Sequence, residues 1–307
     1  MTPEALRVDG RYIKDPSGKP VILRGVNVAD PKSLMYFRRE RPYDCLKIIE
    51  IAVKEWGANV VRLPVHPEGI DDVAGFEGNV EKYLREFIVP AVDKAAELGA
   101  YAIIDLHLVQ DYGAKKDDAL VRGFWKIAAS YYRGFPSVMF ELYNEPINPD
   151  NWHTWRKCCQ PWVDMIRGIA PDNLILVGGP RWCQNMAAAA GDPVEGKNIV
   201  YAAHCYPSHL ADFGKNWGPL IEKYPVMFTE WGYETPGSFP WQGTTSGFGR
   251  PFLERAEALG CSWCAWCFDN DWGPRVFDKP WSVPEDREGR MGIFLKEALK
   301  KQLIMNN

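Results

Sequence analysis

Val138-Met139-Phe140-Glu141-Leu142-Tyr143 runs directly into Asn144-Glu145-Pro146. The run is apolar apart from one acid, and it ends on an amide, a carboxylate and a proline. It lacks the apolar–polar alternation of a strand with one wet face. It reads instead as a strand covered on both sides, as parallel strands are. Outward from it the same unit recurs. Upstream lie Tyr101-Ala102-Ile103-Ile104-Asp105-Leu106-His107, Asn59-Val60-Val61-Arg62-Leu63-Pro64-Val65, and Val21-Ile22-Leu23 leading to Arg24-Gly25-Val26-Asn27. Downstream, strands are predicted over 174–177, 199–206, 226–230 and 261–268.

Helical spacing fills the intervals. Over 43–56, Cys45, Ile48, Ile49, Ala52 and Trp56 share one face. A second helix over 80–98 stops at Gly99, as a helix C-terminus should. Others are predicted around 124–132, 151–169, the amphipathic stretch up to 223, 251–259 and 292–303. Eight strands, each followed by a helical segment, predict an α/β fold: the (β/α)8, or TIM, barrel. A doubly wound sheet is the alternative, but no glycine-rich phosphate loop follows the first strand. The opening residues 6–13, with Asp15-Pro16-Ser17-Gly18-Lys19-Pro20, predict a hairpin closed by a turn that plugs one end. Without a linker or a shift in composition, residues 1–307 are expected to form a single domain, with the plug in 1–20.

Composition narrows the function. The chain carries 36 Lys and Arg against 40 Asp and Glu, a net charge of −4, without a basic run, so nucleic acid and anionic membranes are poor partners. There is no apolar stretch long enough to span a bilayer, and 1–6 do not read as a signal segment. Thirteen tryptophans are an unusual number for 307 residues. Trp182, Trp217, Trp231, Trp241, Trp272 and Trp281 stand at the ends of apolar runs beside Gly, Asn or Pro, and at least three of these six are expected to line a cleft, where flat rings stack on sugars. Cys261, Cys264 and Cys267 have a metal-like spacing. On a strand, however, Cys264 faces away from the other two, so buried free thiols are expected rather than a metal site.

Polar side chains gather at the C-terminal ends of the strands: Asn27, Arg62, His107, Asn144, Glu145, His204, Tyr206, Glu230 and Trp266. That rim is where a (β/α)8 barrel keeps its active site. Alternation places Glu141 and Tyr143 on the face of Glu145, Asp105 on that of His107, and Tyr206 on that of His204. Asp105 and Glu141 are therefore expected as buried carboxyls with partners. His153 and His209 read as satisfied structural histidines, and His66 lies just past its strand end. Two carboxylates at two strand ends suit cleavage of a glycosidic bond, where one group protonates the leaving oxygen and the other attacks or activates water.

With these positions in place, the chain resembles glycoside hydrolase family 5, the cellulase and mannanase family of retaining barrel enzymes. The resemblance rests on Arg62, His107, Asn144-Glu145-Pro146, His204-x-Tyr206, Glu230 and Trp266, and runs from the opening hairpin to the last strand. It implies Glu145 as general acid/base and Glu230 as nucleophile, the latter kept ionised by Arg62 and Tyr206. It implies that Asn144 binds the sugar 2-hydroxyl, that His107 and His204 hydrogen-bond substrate and acid, and that Trp266 forms the stacking floor. Asn27, Trp182 and Trp231 are further expected substrate-binding or supporting residues.

The implied activity is a retaining endo-β-1,4-glucanase. Mannan, xyloglucan and mixed-linkage β-1,3-1,4-glucan remain open as substrates. A non-catalytic carbohydrate-binding barrel would have lost one glutamate, and both are present. A metal-dependent hydrolase finds no paired histidines at a strand end. No cofactor is expected. The partner is a poly- or oligosaccharide, the chain is expected to act as a monomer, and the resemblance implies an extracellular location.

Overall fold

The eight principal strands are β1 (Arg24–Asn27), β2 (Val60–Val65), β3 (Tyr101–Leu106), β4 (Val138–Glu141), β5 (Ile175–Val177), β6 (Ile199–Cys205), β7 (Val226–Trp231) and β8 (Ser262–Ala265). All pair in parallel with their sequence neighbours, and β8 closes on β1. The computed structural model describes residues 3–36, 41–76 and 78–305. Its helices cover the outside of the barrel, the longest being Lys115–Tyr131 and Trp152–Ile169. The second of these starts at Asn151, whose side chain accepts from the Thr154 N–H and so satisfies one otherwise unpaired helix-start donor. No helix among the described residues is long and apolar enough to cross a membrane.

The apolar residues divide into two layers. The larger lies between the sheet and the helices. The smaller fills the barrel at its N-terminal end, where Val60, Ile103, Met139, Leu176, Val200 and Met227 converge. Leu6 and Ile13 join this inner cluster, so the hairpin does plug the end. Its details differ from the sequence reading. The hairpin strands are Arg7–Asp9 and Tyr12–Lys14, and the reversal falls at Gly10, where φ is 59°, a conformation glycine adopts freely. Asp15–Lys19 forms a second turn beyond it. The first barrel strand begins at Arg24 rather than Val21; Leu23 belongs to the plugged interior. Cys264 lies in that interior and Cys261 in the outer layer, the two faces that alternation assigns. All eight cysteines are free thiols.

Candidate functional site

The site is built on Arg62, fully buried in the middle of β2. Its Nε and Nη2 donate to the two oxygens of Glu141 at 2.6 and 3.0 Å. Nη1 donates to Glu230 Oε1 at 2.9 Å and to Asn27 Oδ1 at 2.8 Å, and Nη2 to Asn144 Oδ1 at 2.6 Å. Asp105 Oδ2 lies 3.0 Å from Nη2. A planar fork with five N–H groups can meet this many acceptors where a lysine could not. Burial alone would weaken the Arg62 cation, but Asp105, Glu141 and Glu230 outweigh it and the guanidinium stays charged. Glu141 and Asp105 are thus partnered core carboxyls that hold the groups above them. Burial, then Glu141 and Glu230, pushes Asp105 well above the usual carboxylate range against the pull of Arg62. Its Oδ1 is buried without a hydrogen-bond partner, a poor place for an anion.

Both glutamates of the sequence reading face the cleft, Glu145 just past the end of the β4 ladder and Glu230 within a register shift of β7. On β4 the ladder ends near Leu142, and the chain re-pairs with residues beyond β3: Glu145 aligns with Val109, and its N–H donates to Leu108 O at 2.9 Å. Asn144 and Glu145, adjacent in sequence, therefore both reach the site. Tyr143 does not share their face as expected; it turns outward against Trp155 and Trp162. On β7 the pairing with β8 shifts between Phe228 and Trp231, so Thr229 and Glu230 both contribute. A shift in β6 between Ala203 and His204 sets His204 opposite Glu230.

His204 ties the two carboxyls together. Its Nδ1 donates to Glu145 Oε1 at 2.7 Å and lies 3.6 Å from Glu230 Oε2. Its Nε2 donates to Thr229 Oγ1 at 3.1 Å, and Thr229 in turn donates to Glu141 at 2.9 Å. Burial opposes charging His204, but Glu230, Glu141 and Glu145 overcome it and lift the imidazole to about 10. Tyr206 donates its hydroxyl to Glu230 Oε2 at 2.8 Å. Burial pushes Glu230 above the usual carboxylate range, as does Glu145, while His204, Arg62 and Tyr206 pull it back. His107 sets Nδ1 against Asp105 at 2.6 Å and turns Nε2 to Asn144 Nδ2 at 3.4 Å. Burial, then the charges of His66, Arg62 and His204, keeps it neutral. Its ring lies nearly parallel to Trp266, with centroids 5.4 Å apart.

Above these groups opens a cleft of about 620 Å³. Trp182, Trp241, Trp266 and Phe239 supply its aromatic walls; Phe239 is 82% exposed and Trp182 40%. Of the six tryptophans expected near a cleft, only Trp182 and Trp241 line it. Trp217 packs against Phe213 and Phe228, Trp272 stacks on Trp266, and Trp281 stacks on Phe277. The expectation for Trp231 is overturned. It is fully buried on the helix side of β7, against Phe252 and Trp263. Asn27 and Arg62 are buried beneath the cleft rather than in its wall.

His66 packs its ring at a tilt of 42° against His107, with centroids 4.4 Å apart, and pairs with Asp30, outside the cleft lining. His209, read as structural, lines the cleft, where burial lowers it to about 4. It sits in a short helical turn after Tyr206, where no periodic signal marks it. Thr229, likewise missed, was hidden inside an apolar run. Among the described residues, Glu145, His204 and Glu230 are the one group whose ligand atoms, within 4.8 Å of one another, could hold a metal ion. His204 Nδ1 is hydrogen-bonded to Glu145 and Nε2 to Thr229, so a metal ion there would have to displace the contact with Glu145.

The model of the cellulase family (glycosyl hydrolase family 5) matches residues 14–271. An endoglucanase of Clostridium saccharobutylicum is 28% identical over 271 residues, covering 85% of this chain and 56% of that protein. A cellulase of a Thermoanaerobacterium species is 28% identical, covering 86% of this chain and 70% of the relative. The chain thus spans about half to 70% of the length of these curated relatives. Among solved structures, a β-glucanase of Saccharophagus degradans superposes with a TM-score of 0.86 at 26% identity, covering 98% of this chain and 94% of that one. The same protein has been crystallised with cellotetraose.

Proposed function

Because the chain belongs to glycosyl hydrolase family 5, we propose that it is a retaining endo-β-glucanase, with Glu230 as nucleophile and Glu145 as general acid/base. The observation that carries this reading is the bridging of the two carboxyls by His204, which puts an oxygen of each within 4.8 Å of the other. Retaining enzymes hold their carboxyls about 5–5.5 Å apart, while inverting enzymes need about 6.5–9.5 Å to fit a water between.

Glu230 attacks the anomeric carbon while Glu145 protonates the departing oxygen. Water, deprotonated by Glu145, then releases the glycosyl ester. Arg62 and the Tyr206 hydroxyl stabilise Glu230 as an anion before attack. Asn144 has its carbonyl oxygen committed to Arg62, which turns its amide N–H groups toward His107 and the sugar 2-hydroxyl. Trp266 is the floor under the sugar being cleaved, and Trp182, Trp241 and Phe239 flank the departing chain. The aromatic cleft and the cellotetraose bound by a structural relative favour a β-1,4-linked glucan backbone. A polymer of this kind does not cross membranes, so the enzyme would meet it outside the cell.

Incubation with cello-oligosaccharides, mixed-linkage glucan, xyloglucan and mannan, followed by proton NMR of the first products, tests the proposal. β-Anomers from a glucan are expected. Early α-anomers would refute the mechanism, and turnover of mannan alone would refute the substrate class.

A further inference from the structure

Between β5 and β6 the chain makes an unusual turn. Arg181, Trp182 and Cys183 have φ of 54°, 54° and 60°, three consecutive non-glycine residues in the left-handed region. Such a conformation persists only where its surroundings enforce it. Here several contacts do so. Arg181 N–H donates to Ile147 O at 3.1 Å, two residues beyond Glu145. Cys183 N–H donates to Gly179 O at 2.9 Å, and the Trp217 indole donates to Cys183 O at 2.9 Å. The buried Cys183 thiol donates to the backbone carbonyl of Asn144 at 3.0 Å. That thiol occupies a notch that exists only because residue 178 is glycine: a Cβ there would lie 2.5 Å from Sγ. The turn presents Arg181, Trp182 and Gln184 to the cleft next to Glu145.

We propose that Cys183 is a positioning residue for the leaving-group side of the cleft. Its thiol locks the Trp182 turn to the backbone that carries Asn144 and Glu145, so that the sugar resting on Trp182 is held in register with the acid that protonates its oxygen. The inference rests on the assignment of Glu145 as the acid. Burial, then the negative charges of Glu145, Glu141 and Glu230, keeps the thiol protonated and able to donate. Cys183 does not touch substrate; it acts through Trp182 and the strand end.

The test compares two substrates. In cellopentaose the leaving group is a sugar chain that needs both Trp182 and protonation. In a cellobioside with an activated aryl leaving group, neither matters much. Cys183→Ala should lower kcat/KM on cellopentaose by about tenfold and on the aryl cellobioside by less than about twofold. Cys183→Ser, which keeps a donor, should recover most of the loss. Gly178→Ala, which evicts the thiol from its notch, should reproduce it. Trp182→Ala combined with Cys183→Ala should be no worse than Trp182→Ala alone, because both act through one platform. Equal losses on the two substrates, or additive losses in the double variant, would overturn the proposal. A crystal structure of Cys183→Ala decides it independently of activity: displacement of Trp182 supports it, and an unmoved turn refutes it. Should the parent protein cleave no glucan, the functional reading falls, and that structure alone judges the role of Cys183.

Discussion

Replacing Tyr206 with phenylalanine removes a single oxygen, and the consequence can be worked from the geometry. The hydroxyl donates to Glu230 Oε2 at 2.8 Å in a buried setting. A hydrogen bond to a charged group contributes roughly 1.5–3 kcal/mol. If all of it favoured the anion over the neutral acid, Glu230 would rise by about one to two pKa units on its loss, at 1.36 kcal/mol per unit. The neutral carboxyl can also accept from the tyrosine, so the differential is smaller, and about one unit is the expectation. Arg62, 2.9 Å from the other oxygen, and the charged His204 remain to keep the group ionisable.

The sign follows from which form is stabilised. Tyr206 favours the anion, so its removal shifts the ionisation of Glu230 to higher pH, and the acid limb of kcat/KM moves up. The activity ratio of parent to variant should widen as pH falls, approaching about tenfold below both limbs from this effect alone. Initial rates on a soluble β-glucan across the pH range, with the melting temperature monitored at each pH, provide the measurement. A loss of constant size at every pH, or a limb that stays in place, would show that Tyr206 does not support the charge of Glu230.

Three further outcomes are expected. Glu145→Gln should slow cello-oligosaccharides far more than activated aryl glycosides, whose leaving groups need little protonation; comparable losses on both would argue against Glu145 as the acid. Glu230→Ala should lose nearly all turnover but still bind cellotetraose in calorimetry, and residual activity within about tenfold of the parent would mean that another residue attacks. The third concerns stability. His204 is raised from about 6.5 unfolded to about 10 in the folded chain by Glu230, Glu141 and Glu145, against burial. Its contribution is fully present below the unfolded value and disappears as pH climbs through the folded one. Melting temperature should therefore fall between about pH 7 and pH 10, and His204→Gln should flatten that decline; an equally steep fall in the variant would assign it to other groups.

The barrel was legible because each strand is an apolar run, and seven of the eight bring a polar or aromatic residue to the same rim, β5 running instead into Gly178 and Gly179. Arg62 and His107 could be placed by that rule, since the β2–β3 ladder runs unbroken beside them, and His204 and Tyr206 keep their alternation although β6 shifts register against β7 at His204. The misreadings fall where the pleat breaks. Tyr143 was assigned to the face of Glu145 by counting in twos, but the β4 ladder stops before it. Thr229 was overlooked because a register shift lets two adjacent residues of β7 enter the site. Trp231, by contrast, was predictable: it follows Glu230, which faces inward, and so turns toward the helices. His209, Phe239 and the Trp182 turn sit on loops whose shape depends on tertiary contacts, and period-based reading does not reach them.

Arg62 touches side chains from β1, β3, β4 and β7 as well as standing on β2: Asn27, Asp105, Glu141, Asn144 beyond it, and Glu230. The reacting centre is thus fastened to the staves of the barrel, while the surfaces that meet the polymer belong to the loops above. For protein engineering this separates two tasks. The loop 237–243, which carries Phe239 and Trp241 into the cleft, can be exchanged between relatives to alter which glycan is accepted, whereas the 181–183 turn, tied by Cys183 to the backbone of Asn144, has to travel with the catalytic strand end. The reverse graft, moving the glutamates to another scaffold, would have to bring five strands' worth of side chains with it.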